Sequence, residues 1–207
     1  SMNTIKEVQE AVAATSNAEA LAVADERIKQ RIAETNDLSE LRDYLNSKGY
    51  KKHEKIANQK ANALSAKQQQ GAYENAVAQN SAETWKNYIN NYPDDARKGE
   101  IADKIIRLEV DEIFEGDFGE IPPSQLLGDR NMVSSDIAIT NDTKYTLTIR
   151  YSGKEAMRIL IAPGATKTVV LPSGEYRVTA SVSAYNVRNF AGTESLHGSY
   201  SSSYYIQ

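Results

Sequence analysis

Apolar side chains return every three to four residues along the first half of the chain and alternate with polar ones along much of the second. From residue 4 to about 115 the apolar positions form helical stripes, and good helix formers (Ala, Glu, Lys, Gln, Arg) fill the rest. Ile28 and Ile32 with Ala24 make one stripe, Leu38, Leu41 and Leu45 a second, and Ile101, Ile105 and Leu108 a third. Each suits packing on a neighbouring helix. Asp37 followed by Glu40, and Asn80 followed by Glu83, read as capping boxes, because each offers a side-chain oxygen to otherwise unpaired amides. Pro93 ends a helix and biases Tyr92 towards an extended backbone, while Asp94 or Asp95 is placed to cap the next helix.

From Asp136 onward the period is two, as in Tyr145, Leu147, Ile149 and Tyr151 or Tyr176, Val178, Ala180 and Val182. Strands are predicted over 136–141, 145–151, 157–162, 166–171, 175–183 and 198–206, punctuated by Asn141-Asp142, Ser152-Gly153, Pro163-Gly164 and Ser173-Gly174. That rhythm is the one of an antiparallel β-sandwich. The expected fold is therefore multidomain: an N-terminal α-helical repeat of helical hairpins over 4–115, a partly packed linker over 116–135 and a C-terminal antiparallel β-sandwich over 136–207. Acids and helix breakers crowd the linker, but Leu126 and Leu127 are too apolar for a free tether.

Within the helical half, residues 35–64 and 79–108 look alike. Leu41, Tyr44 and Leu45 match Trp85, Tyr88 and Ile89 at an offset of 44, and after a one-residue slip Ile56-Ala57 match Ile101-Ala102. Units of this length cannot bury their apolar faces alone and stack on one another. The second copy, WKNYINNYP followed by a capped gap and IADKI, resembles the helical-hairpin signature of tetratricopeptide-type repeats, especially those of bacterial envelope lipoproteins and cell-division coordinators. In the first copy Gly49-Tyr50 stand where the second has Tyr92-Pro93. The resemblance implies a protein-interaction scaffold, and it favours a periplasmic or surface-anchored location over a cytoplasmic one. In the second half, IAPG followed by LPSGEYRV resembles small immunoglobulin-like bacterial surface modules, including the PEGA type. That likeness implies a fold and names no activity.

Composition narrows the partners. Lys plus Arg number 24 against 28 for Asp plus Glu, a net charge of −4, so no basic field gathers nucleic acid. Without Cys there is no disulfide framework, thiolate nucleophile or cysteine-based zinc site. No apolar run approaches the ~20 residues of a membrane-spanning helix. Ser1-Met2 reads as an expression scar, so the sequence leaves room for an upstream signal or lipid-attachment segment.

Candidate chemistry is sparse. Glu109, Asp111, Glu112, Glu115, Asp117 and Glu120 are the densest set of metal-ligand types, but the alternating order of a calcium loop is missing, and a solvated helix end is expected instead. His53 and His197 are the only histidines; a hydrolase would need His197 with a nearby Ser and Asp, and no nucleophile motif accompanies it. Phosphate-cradling loops and the H-E-x-x-H helix are absent, so neither an enzyme nor a cofactor or metal is expected. Twelve Tyr stand against three Phe and one Trp. Tyrosine favours both strand packing and recognition surfaces, which leaves a protein partner and a glycan as candidates. Residues 184–198 lack clean alternation and read as a loop, which makes Tyr185, Arg188, Asn189 and Phe190 candidate partner-binding residues. Trp85, Tyr88 and Tyr92 are a second candidate set, as a groove on the repeat, although their spacing also fits a buried stripe.

Overall fold

The computed structural model describes residues 4–14, 17–128 and 131–205. They form an α+β chain, with six helices in the first 115 residues and two mixed sheets after them. Two compact units divide it, residues 1–77 and 78–207.

The first unit holds α1 (Ile5–Ala13), α2 (Ala18–Glu34), α3 (Leu38–Asn46) and most of α4 (Glu54–Gln79). Its core gathers the predicted stripes, with Ile28, Ile32 and Leu41 fully buried together with Ile5 of α1. Asp37 caps α3 as expected, accepting from the amides of Ser39 and Glu40. Glu40 does not close the box. Its carboxylate instead accepts from Arg31, from the Thr35 hydroxyl and from the Ile5 amide, and so ties three helices together. Asp25 is a second clamp, accepting from Tyr50 Oη at 2.5 Å, His53 Nε2 at 2.6 Å and Lys52 Nζ at 2.6 Å. This interaction accounts for His53.

The second unit holds α5 (Ala82–Asn91), α6 (Lys98–Glu115) and nine strands: β1 (Phe118–Glu120), β2 (Gln125–Leu126), β3 (Ser134–Asn141), β4 (Leu147–Ser152), β5 (Ala156–Ile161), β6 (Thr166–Pro172), β7 (Gly174–Val182), β8 (Asn189–Leu196) and β9 (Ser199–Tyr204). One sheet runs β1-β8-β7-β4-β5, the other β2-β9-β3-β6. Neighbours are antiparallel except β1 with β8 and β3 with β9, which are parallel. Both sheets feed one core, Ile137, Ile139 and Leu171 from the second meeting Ile149, Tyr151 and Val178 from the first.

The boundaries differ from the sequence expectation in two places. The segment expected as a linker contains β1 and β2, each paired to a C-terminal strand. The helices α5 and α6, expected to group with the earlier helices, belong to the compact unit of the strands. The physical cause is Glu109 of α6, only 6% exposed, which receives Arg150 of β4 at 2.6 Å, Arg158 of β5 at 3.1 Å and Lys86 of α5 at 2.6 Å. Arg177 of β7 adds an ion pair to Asp111 and a guanidinium stacked 4.0 Å from the Phe114 ring.

Burial also repeats along the helices. Leu41 and Tyr44 are 0% and 1% exposed, and their equivalents 44 residues on, Trp85 and Tyr88, are 1% and 3%. The same offset continues into the next helices, from Ala57 and Ala61 to Ile101 and Ile105, all buried. The one-residue slip inferred from the letters is therefore not followed: Ile56 is 44% exposed, and small Ala57 takes the inward position that Ile101 holds in the second copy.

Candidate functional site

Strand β8 organises the site. The segment expected as a loop is strand from Asn189 to Leu196, so only 183–188 remains a connection. Alternation fails there because Ala191 is buried outside the core pattern, Gly192 has no side chain and Glu194 is a buried acid. Phe190 stands opposite Gly119 of β1 in the parallel register, and its ring lies across that glycine. A Cβ at Gly119 would sit 2.8 Å from the ring and 3.2 Å from the Arg188 guanidinium, so the glycine is what lets both side chains approach β1.

Beside them opens a cavity of about 420 Å³ whose walls include Pro122, Val187, Phe190, Tyr204 and Tyr205, with Glu120 and Arg188 at the charged positions. Tyr205 is 62% exposed and Tyr185 98%. Arg188 meets Asp117 at 3.4 Å, both largely exposed, a solvent-screened pair that holds the guanidinium only loosely. The cavity thus offers aromatic and apolar walls together with a cation and an anion, and its size suits one side chain or one sugar ring.

Arg188 and Phe190 line this cavity, whereas Asn189 pairs in the β1–β8 ladder beside Phe118, and Tyr185 is exposed to solvent and does not line it. The second candidate set lies elsewhere. Trp85 and Tyr88 are packed in the helix core, edge to face at 6.1 Å, with Lys104 over the Trp85 ring at 5.0 Å. A groove lining is therefore corrected to a core position for these two, for the reason that spacing i, i+3, i+4 makes a buried stripe. Tyr92 is half-buried against Tyr88 at 5.1 Å. Tyr88 gives its hydroxyl proton to Asp95, which is buried and also accepts from the Arg97 amide at 2.8 Å, so Asp95 orders the turn that precedes α6.

The acids of the α6 end disperse. Glu109 and Asp111 face arginines of the sheet, Glu112 accepts from the Ala82 amide at 3.2 Å, and Glu120 lines the cavity. Among the described residues no three acids or histidines gather closely enough to hold a metal. The His197 ring is exposed, and among the described residues no hydrogen bond or ion pair reaches it, so no Ser, His and Asp relay is assembled around it. No helix of the described residues is long and apolar enough to cross a membrane. Tyr205 was not among the binding candidates read from the sequence, and Glu120 was read only as one of the acids around the α6 end. Tyr205 was visible as part of the tyrosine enrichment, but Glu120 enters only because β1 pairs with a strand some seventy residues later.

A helix laid against one of two mixed sheets that share one core, with an aromatic cavity beside an interior strand, defines the class of domain. The chain belongs to the family described as "Domain of unknown function (DUF6759)", whose match spans residues 99–207 and so takes in almost all of α6 and every strand. No curated protein matches it.

Proposed function

We propose that the chain is a non-enzymatic protein-interaction module of the bacterial cell envelope. Its helices are read as tetratricopeptide-like hairpins, a reading supported by the burial pattern repeated at 44 residues. Its strands are read as an immunoglobulin-like, PEGA-like sandwich, supported by the two inner faces that share one core. The envelope location draws on the sequence resemblance alone.

The observation that carries the function is the cavity of Arg188, Phe190 and Tyr205, because a large flat ring left 62% exposed beside apolar walls and a loosely held guanidinium is what a partner's anchor side chain fills. The test is a photo-crosslinking amino acid placed at Tyr205, with Val170, exposed on another strand, as the control position. One discrete adduct formed from Tyr205 in extract of the source cells, and lost in Phe190→Ala, is expected. Equal adducts from both positions, or none from Tyr205, would overturn the proposal.

A second function is favoured by the same rings. Phe190 and Tyr205 beside Arg188 and Glu120 also suit the apolar face and the hydroxyls of a sugar, which would make the module a carbohydrate-binding accessory. A glycan array without signal retires that alternative.

A further inference from the structure

The second half of β8 is open along the edge from which β1 departs. Strand β1 pairs with β8 only as far as Ala191, whose carbonyl accepts from the Ile121 amide at 3.1 Å. Neighbouring residues of a strand turn their main-chain groups to opposite edges, so Thr193 and Ser195 present theirs on the same edge as Ala191. Continued in this register, the next amide to reach that edge would be that of residue 123. The chain has Pro122-Pro123 there, with no N–H to give, and it leaves the ladder. It then crosses to the other sheet, where β2 pairs with β9.

Main-chain groups of β8 are left unmet as a result. The Ser195 carbonyl accepts from the Tyr200 hydroxyl at 3.2 Å, but the Thr193 amide, the Thr193 carbonyl and the Ser195 amide have no hydrogen-bond partner among the described residues. Both residues are exposed.

The crossing segment is pinned at its two ends, and a space remains between it and the bare edge. At one end Ile121 rests where a Cβ on Gly192 would be, and at the other Ser124 donates its amide and hydroxyl to the buried Glu194 carboxyl at 3.2 and 2.5 Å. A cleft of about 520 Å³ lies between Pro123 and Ser124 on one side and Thr193 and Ser195 on the other. A second, of about 550 Å³, shares Ser124, Ser195 and Tyr200 with it and runs on to Asn131 and His197. Together they make one groove beside β8 from Ala191 to His197, roughly 20 Å of strand.

Edge strands commonly carry charged side chains or proline that discourage pairing with another chain. The outermost strands β5 and β6 do so, with Arg158 in the first and Lys167 and Pro172 in the second. On the open edge of β8, Thr193 and Ser195 carry neither, and the one charged type between them, Glu194, is buried and engaged by Ser124.

We propose that this groove receives an extended segment of a partner protein, about five residues long, which takes over the ladder where β1 abandons it. The spacing of the unmet groups decides the occupant: a donor and an acceptor on one residue, then a donor two residues on, is the complement of a neighbouring strand's backbone. No Lys or Arg lines the groove among the described residues, and Leu126 and Tyr200 lie along it, which suits uncharged side chains on the partner. The proposal rests on the chain being an interaction module and adds a second contact to it, at residues other than Phe190 and Tyr205.

The test begins with random heptapeptides displayed on phage and selected on the immobilised full chain. The enriched peptide is then synthesised and titrated into the full chain by amide-resolved NMR. Saturable shifts at Thr193 and Ser195 are expected. N-methylation of alternate peptide nitrogens is the deciding arm, because only one alternate set faces β8. Methylating that set weakens binding by about tenfold or more, the worth of the hydrogen bonds lost, whereas the other set changes it by less than about twofold. No enriched peptide, equal loss from both methylated sets, or shifts confined to Phe190 and Tyr205 overturns the groove. A negative result here with the Tyr205 crosslink intact removes strand pairing at β8 and leaves the interaction module standing.

Discussion

Glu109 and Glu194 are both buried, 6% and 8% exposed, and titrate in opposite directions for reasons visible around each. Burial alone raises the Glu109 carboxyl, but Lys86 and Arg150 outweigh it and hold the group below the ordinary value of 4.5. Its ion pairs therefore stabilise the fold fully above that value, and the contribution is lost as pH falls through the lowered one. Glu109→Gln leaves Arg150 half-buried without a carboxylate, and urea denaturation at pH 7 should show a loss of roughly 3 to 5 kcal/mol that shrinks in acid. For Glu194 the sign reverses. Its folded-state value is raised, so the stabilising protonated form is complete below the unfolded value and is lost as pH rises through the folded one. Glu194→Gln should thus be more stable than the parent at neutral pH, with a flatter pH profile by thermal unfolding.

At the scale of elements, the helix pairs and strand β8 separate what supports the fold from what meets a partner. Trp85→Ala should cost roughly 3 to 5 kcal/mol in chemical denaturation, because a ring 1% exposed leaves a cavity behind. Tyr205→Ala should stay within about 0.5 kcal/mol of the parent, since most of the ring is already in water. Stripes such as Ile28 with Ile32, and alternation such as Leu147, Ile149 and Tyr151, were legible because each is a local period set against water. Caps were legible to within a residue: Ser81, with Thr84, caps α5, while Asn80 takes a positive φ of 46° just before it. Strand β8 was not legible, because Ala191, Gly192 and Glu194 owe their places to α6, Ile121 and Ser124, neighbours that lie 70 or more residues away in the chain. The cavity was half legible for the same reason. Arg188 and Phe190 come from one irregular stretch, but Glu120 and Tyr205 reach it through pairing across the sheets.

At the scale of the whole chain, the compact unit starts at residue 78, whereas the family match starts at 99, after α5. A fragment 78–207 should unfold cooperatively by circular dichroism. A fragment 99–207 lacks Trp85 and the Lys86 partner of Glu109 and should melt at a clearly lower temperature. Equal melting of the two would show that α5 contributes nothing to the strand unit.

The last two strands occupy interior places, β8 between β1 and β7 and β9 between β2 and β3. While the ribosome is still making them, neither sheet can close, and β7 and β3 wait with bare backbone edges that invite pairing with other chains. A stop codon near residue 198 would do more than trim a tail. It would leave β2 and β3 with a gap between them where β9 should stand, so β9 acts as a keystone, and early termination should yield aggregate instead of a shortened fold.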